Sequence, residues 1–216
     1  MASFVGIGMR AGSLKLKHQV LRITFLAILL LSAPGLISAA GGQETVVRLD
    51  PAQTKVEFSV GSTLHTVHGT FNLKSGEVRF DPVSGKASGA IVVAATSGDT
   101  ANDGRDKKMH GKVLESEKFP EIVFAPNQVR GKIGPQGSSE VEVSGVFRLH
   151  GQDHDLTMTV SVEPDAGKQI RATTHFGVPY IKWGLKSPNT FLLKVDDTVN
   201  VEIHAAGQMS SETARN

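Results

Sequence analysis

Residues 155–163 read Asp155-Leu156-Thr157-Met158-Thr159-Val160-Ser161-Val162-Glu163, with every even position apolar and every odd position polar or charged. Side chains on a strand alternate between its two faces, so this stretch predicts a strand with one face inward and the other toward water. Val199, Val201 and Ile203 repeat the pattern against Asn200, Glu202 and His204. Working outward, Gly, Asn, Asp, Ser and Pro punctuate the chain every eight to twelve residues or so. Strands are expected at 54–60, 67–73, 76–80, 86–95, 121–124, 140–150, 155–163, 170–176, 192–195 and 199–205. That spacing belongs to an all-β sandwich or barrel. Between Thr100 and Leu114 the period changes: Asn102 or Asp103 is a candidate cap, and Met109, Val113 and Leu114 fall at helical spacing, which predicts one short helix. Residues 208–216 are polar and are expected to fray.

The first 40 residues carry Arg10, Lys15, Lys17 and Arg22, no acidic residue, and a largely apolar run over 23–31 broken by Pro34 and Gly35. With Ser38-Ala39-Ala40 behind it, this is the layout of a secretory signal cleaved after Ala40, or one residue earlier. A membrane anchor would need about 20 apolar residues. The expected location is therefore the periplasm or the exterior. Taking away those four cations leaves 19 Lys and Arg against 21 Asp and Glu, so the remaining chain is near −2 and has no basic stripe for nucleic acid. There is no cysteine, which excludes disulfides, thiolate metal sites and a thiol nucleophile. Alternation alone also fits an outer-membrane barrel, but one Trp, one Tyr and scattered Phe supply no aromatic girdles.

Candidate chemistry is sparse. His150-Gly151-Gln152-Asp153-His154-Asp155 gathers metal-ligand types, yet it reads equally as a polar hairpin tip in which Gly151 takes an unusual backbone angle. His65 and His68 fall on opposite faces of a strand. A metal-dependent barrel enzyme would have to draw on His65, His110, His150, His154 and His175. Phosphate-loop, dinucleotide and nucleophile-elbow patterns are missing from the sequence. No catalytic residue, metal ligand or cofactor is assigned. Arg105-Asp106-Lys107-Lys108 with His110 could bind an anionic headgroup, or form a solvated helix face. The segment 176–185 concentrates the only Trp and Tyr with Phe176 and Ile181, either as core or as a lid over an apolar ligand.

In order, Leu49-Asp50-Pro51, TKVEFSV (54–60), GTFNLKSGEVRFDP (69–82), RDKKMHGKVLESEKFPEIVF (105–124), VSGVFRLHG (143–151) and Trp183-Gly184 before VNVEIHAAG (199–207) resemble the YceI-like, lipid-binding family over roughly residues 47–207. The resemblance implies an all-β, antiparallel eight-stranded lipocalin-like β-barrel with one short helix, a domain spanning 41–207 and no catalytic residue. Its ligand would be a polyisoprenoid, such as a quinone tail or polyprenyl phosphate, or another long apolar lipid. A barrel of eight strands leaves room for one slender ligand. By alternation the inward residues are Phe58, Val60, Phe71, Ile91 or Val92 (Val92 being taken), Phe124, Phe147, Leu149, Leu156, Met158, Val160 and Phe176. Arg105, His110 and Trp183 complete the expected ligand-binding set. Edge strands leave a homodimer open, and a noncatalytic protein-interaction domain with a filled barrel is the remaining alternative.

Overall fold

The computed structural model describes residues 42–165 and 167–213, so the expected signal at 1–40 lies outside the described residues. Nine strands alternate around one antiparallel sheet: β1 (Gln43–Leu49), β2 (Lys55–Val60), β3 (Val67–Phe80), β4 (Ala87–Asp99), β5 (Glu121–Arg130), β6 (Ser139–Leu149), β7 (Gln152–Pro164), β8 (Gln169–Val178) and β9 (Val199–Thr213). The sheet closes through β3 and β4. Although there are nine strands, the barrel has eight positions. β1 and β2 run in the same direction between β3 and β9, β1 against Glu77–Phe80 and the far end of β9, β2 against Val67–Phe71 and its start. They are two lengths of one strand, interrupted where Asp50 caps a turn by accepting from the Ala52 amide at 2.9 Å.

The β6–β7 hairpin follows from its two-residue loop. Leu149 pairs with Gln152, and His150 and Gly151 both have positive φ, 53° and 75°, the geometry whose twist matches that of the strands it joins. The short helix α1 (Asp103–Lys108) starts as expected: the Asn102 side chain accepts from the Arg105 amide at 3.0 Å. It runs on into a π-helical turn over Met109–Leu114.

Three expectations about elements are corrected. Residues 192–195 form no strand and instead pair with the 61–66 connection, through an isolated bridge from Val195 to Ser62 and a hydrogen bond from the Thr63 amide to the Lys194 carbonyl. Instead of fraying at 208, β9 continues to Thr213, because β1 pairs with it over Gln43–Leu49. The stretches 67–73 and 76–80 are one strand bent by a bulge between Leu73 and Ser75.

Long connections gather at one end of the barrel: 61–66, α1 with its π turn, and 179–198. Short turns and the cluster Phe80, Val129, Val141 and Val162 close the other. Near that closed end, Arg48 of β1, Glu77 and Arg79 of β3 and Glu212 of β9 form a chain of ion pairs at 2.8–3.1 Å. Hydrogen bonds from Arg48 and then Arg79 hold the Glu212 carboxyl below the usual carboxylate range. A carboxylate whose folded pKa is depressed stabilises the fold above the ordinary range and loses that contribution as pH falls through it. Thermal unfolding midpoints from pH 7 down to 3 should therefore fall more steeply in the wild type than in Glu212→Gln. Added salt should narrow the difference, since these pairs face solvent.

Candidate functional site

The interior is not a solid core. Side chains line the walls in clusters, the largest being Phe124, Phe147, Leu149, Leu156, Met158, Val178, Tyr180 and Leu185, and leave a space between them. An upper chamber of about 440 Å³ reaches the end where the long connections meet. A lower chamber of about 160 Å³ extends toward the closed end. Val56, Val93, Ile122, Phe147 and Ile203 border both, so the two chambers adjoin end to end at a waist along the barrel. Alternation builds it: β2 turns Val56 and Phe58 inward, and β9 turns Val199, Val201 and Ile203 inward, while Glu57, Glu202 and His204 stay exposed.

Phe58, Val60, Phe71, Phe147, Leu149 and Arg105 line the upper chamber. Phe124, Phe147, Met158 and Val160 line the lower. The Phe58 and Phe71 rings meet at 5.1 Å. Leu156 is buried in the wall and Phe176 packs edge-on to Phe147 at 6.1 Å, both behind the lining.

Two positions need correction and one is placed differently from the expected lid. Val92 does not face the channel; its neighbours Ile91 and Val93 do, because the uninterrupted run Ile91-Val92-Val93 gives alternation no polar residue to count from. His110 is a strut rather than a headgroup contact. Its Nε2–H donates to the Gly98 carbonyl at 2.8 Å, which leaves Nδ1 to accept from the Ser116 hydroxyl at 2.9 Å. Trp183 stacks on the His154 ring at 4.2 Å and sits 5.7 Å from Phe147, covering the interior beside the β6–β7 tip. The members of that segment that reach the chamber are Val178, Tyr180 and Leu185. Burial, with Asp197 and Asp196 nearby, raises the Tyr180 pKa, so the phenol stays neutral, and its hydroxyl has no partner among the described residues.

The sequence reading missed Val56, Val93, Ile122, Ile203, Tyr180 and Leu185. Strand alternation around Phe58 and Val201 was the available signal for Val56 and Ile203; Tyr180 and Leu185 sit on an irregular segment where no periodicity applies.

The electrostatics of the upper chamber are one-sided. Arg105 and Lys108 stand among its lining residues and no carboxylate does. Arg105 is held by the buried Thr100, donating from Nε to Oγ1 at 2.7 Å and from one Nη to the carbonyl at 2.8 Å. Lys108 donates to the Pro188 carbonyl at 2.8 Å, which ties α1 to the long 179–198 connection. Glu115 accepts from His150 at 2.9 Å and Lys186 at 3.1 Å, joining the π turn, the β6–β7 tip and the same connection; these bonds, Lys186 first, hold its carboxyl low. The histidines are dispersed, and among the described residues no group of three His, Asp or Glu is placed to hold a metal.

A closed antiparallel barrel with an apolar channel, open at one end where Arg105 and Lys108 join its lining, defines the class of cavity-bearing β-barrels. The chain belongs to the YceI-like domain family, whose model matches residues 48–206. Its fold is similar to that of Burkholderia cenocepacia BcnA, with a TM-score of 0.60 at 18% identity over 73% of this chain and 98% of that one. It is also similar to a polyisoprenoid binding domain from Saccharophagus degradans implicated in plant cell wall breakdown, with a TM-score of 0.58 at 16% identity over 76% of this chain and 98% of that one. No curated protein matches the chain.

Proposed function

We propose that this protein is an exported carrier that encloses one long, slender apolar ligand, a polyisoprenoid with a quinone or phosphate head, for transport, storage or sequestration, and performs no chemistry on it. The observation that carries this reading is the waisted apolar channel, with its cations confined to the open end. At about 440 Å³ the upper chamber alone falls in the roughly 300–1,000 Å³ range of small-molecule sites, and the lower chamber lengthens it along the barrel axis. A thin chain suits that shape and a compact ligand does not. Arg105 and Lys108 would meet an anionic or electron-rich head while the tail runs past Phe58 and Phe147 toward Met158 and Val160. The polyisoprenoid-binding relative and the basic, apolar N-terminal segment support the choice of ligand and of export.

A chain of about 40 carbons at roughly 0.8 kcal/mol per CH2 would gain near 30 kcal/mol on full burial, beyond any noncovalent affinity, so ordering costs and incomplete burial must remove much of it. Slow release is still the consequence. Mass spectrometry of an organic extract of the purified protein should therefore find a long-chain lipid close to one per protein. An extract without lipid, from protein that also takes up no fluorescent apolar probe, would overturn the carrier reading.

A further inference from the structure

At the open end the barrel presents apolar side chains to water. Phe191 is 100% exposed, Leu192 84% and Leu64 75%. They are not on unattached loops. The Thr63 amide donates to the Lys194 carbonyl at 3.0 Å, the Asp196 amide to the Gly61 carbonyl at 2.9 Å, and Ser62 bridges to Val195, so the 61–66 and 187–196 connections form one zipped rim. The same rim faces inward: Ser62, Leu64, His65, Leu193 and Val195 line the upper chamber. An exposed apolar edge is thus continuous with the apolar channel.

The long connection beside this rim is rich in lysine: residues 179–195 contain Lys182, Lys186 and Lys194 and no carboxylate, and 61–66 contain only His65, while the acids Asp196 and Asp197 lie at the base of the rim, the Asp196 carboxylate beside Gly61. Lys186 is engaged by Glu115, which leaves Lys182 and Lys194 for an external anion.

We propose that this rim is a membrane-docking edge: Phe191, Leu192 and Leu64 enter the interfacial layer of a bilayer while Lys182 and Lys194 meet anionic headgroups, and the channel opens directly onto the lipid. This rests on the carrier reading and adds to it the surface from which the ligand is taken or to which it is given. A tail that crosses from bilayer to channel here need not pass through water, which is the step that would otherwise limit its transfer. Interfacial binding grows with buried apolar area and with lysines near an anionic surface.

Flotation with vesicles of phosphatidylglycerol and phosphatidylcholine tests it. The wild type should float with mixed vesicles and much less with phosphatidylcholine alone. The double variant F191A/L192A should partition at least roughly tenfold less, as expected for losing two large apolar anchors. K182E/K194E should lose roughly tenfold on the anionic vesicles only. These side chains are on the surface, so folding is not at stake, and uptake of diphenylhexatriene in vesicle-free solution should be unchanged in both variants. Wild type that does not float, or that floats no better than F191A/L192A, overturns the docking edge; retained dye uptake in the same samples would leave the carrier reading standing. A wild-type dimer that F191A/L192A converts to monomer, without vesicle binding, would instead assign the rim to self-association and overturn the proposal.

Discussion

Replacing Ile203 by tryptophan is expected to stop the protein from holding a long isoprenoid while leaving it folded. Ile203 is partly buried at the waist, where it borders both chambers, so an indole there has empty space to occupy and need not displace packed neighbours. It would divide the channel. If about four methylene equivalents of the tail are forced back into water, the loss is about 3 kcal/mol, more than a hundredfold in affinity. A short apolar probe confined to the upper chamber should bind within severalfold of the wild type, and Ile203→Val should bind the long ligand normally. Titration of a fluorescent long-chain isoprenoid against a short probe separates the cases. Unchanged binding of both ligands would mean the chambers are not one channel, and equal loss of both would mean the indole fills the upper chamber. A large drop in the unfolding midpoint with no ligand effect would mean a filled core.

The largest expected effect on stability comes from Gly145→Val. Gly145 on β6 faces the bulge of β5 between Pro126 and Gln128. A Cβ there would lie 2.4 Å from the Ala125 carbonyl oxygen and 2.8 Å from the Pro126 Cα, and both belong to backbone that cannot swing aside. Valine should cost about 3 kcal/mol or more, lowering the thermal midpoint by roughly 10 °C for a domain of this size. Gly111, with nothing near its Cβ position, is the control: Gly111→Ala should move the midpoint little. A tolerated valine at 145 would show that β5 repacks freely around its bulge.

What could be read from the sequence follows from where periodicity holds. β7 and the first half of β9 alternate without interruption, and the structure turns Leu156, Met158, Val201 and Ile203 to the same inner side that the pattern assigns. Reading stopped where the chain leaves that rule. β5 reads as ending at Phe124 because Pro126 and Asn127 look like a turn, yet a bulge absorbs the proline and the strand runs on to Arg130. β1 went unassigned because Gln43-Glu44-Thr45-Val46-Val47 shows little alternation, and its partner, the far end of β9, is 164 or so residues away, beyond any local signal. The site divides the same way. Phe58, Phe71 and Phe147 are legible because they sit on regular strands. His110 misleads because a histidine beside a cationic run looks like a ligand group, whereas its two nitrogens are both spent on Gly98 and Ser116.

The pairing of β1 with β9, from Gln43 opposite Thr213 to Leu49 opposite Gly207, joins the two ends of the described chain. Until the second half of β9 has been synthesised and is free to move, that seam has no second side, and the sheet is joined there only through β2 and residues 200–204. Contacts so distant in sequence form slowly, because the entropy of closing the intervening loop is lost before they reward it. Closure is thus a late event by construction, and a chain interrupted before residue 207 would keep the β2 side of the seam while leaving β1, the wall beside the lower chamber, without its partner on β9.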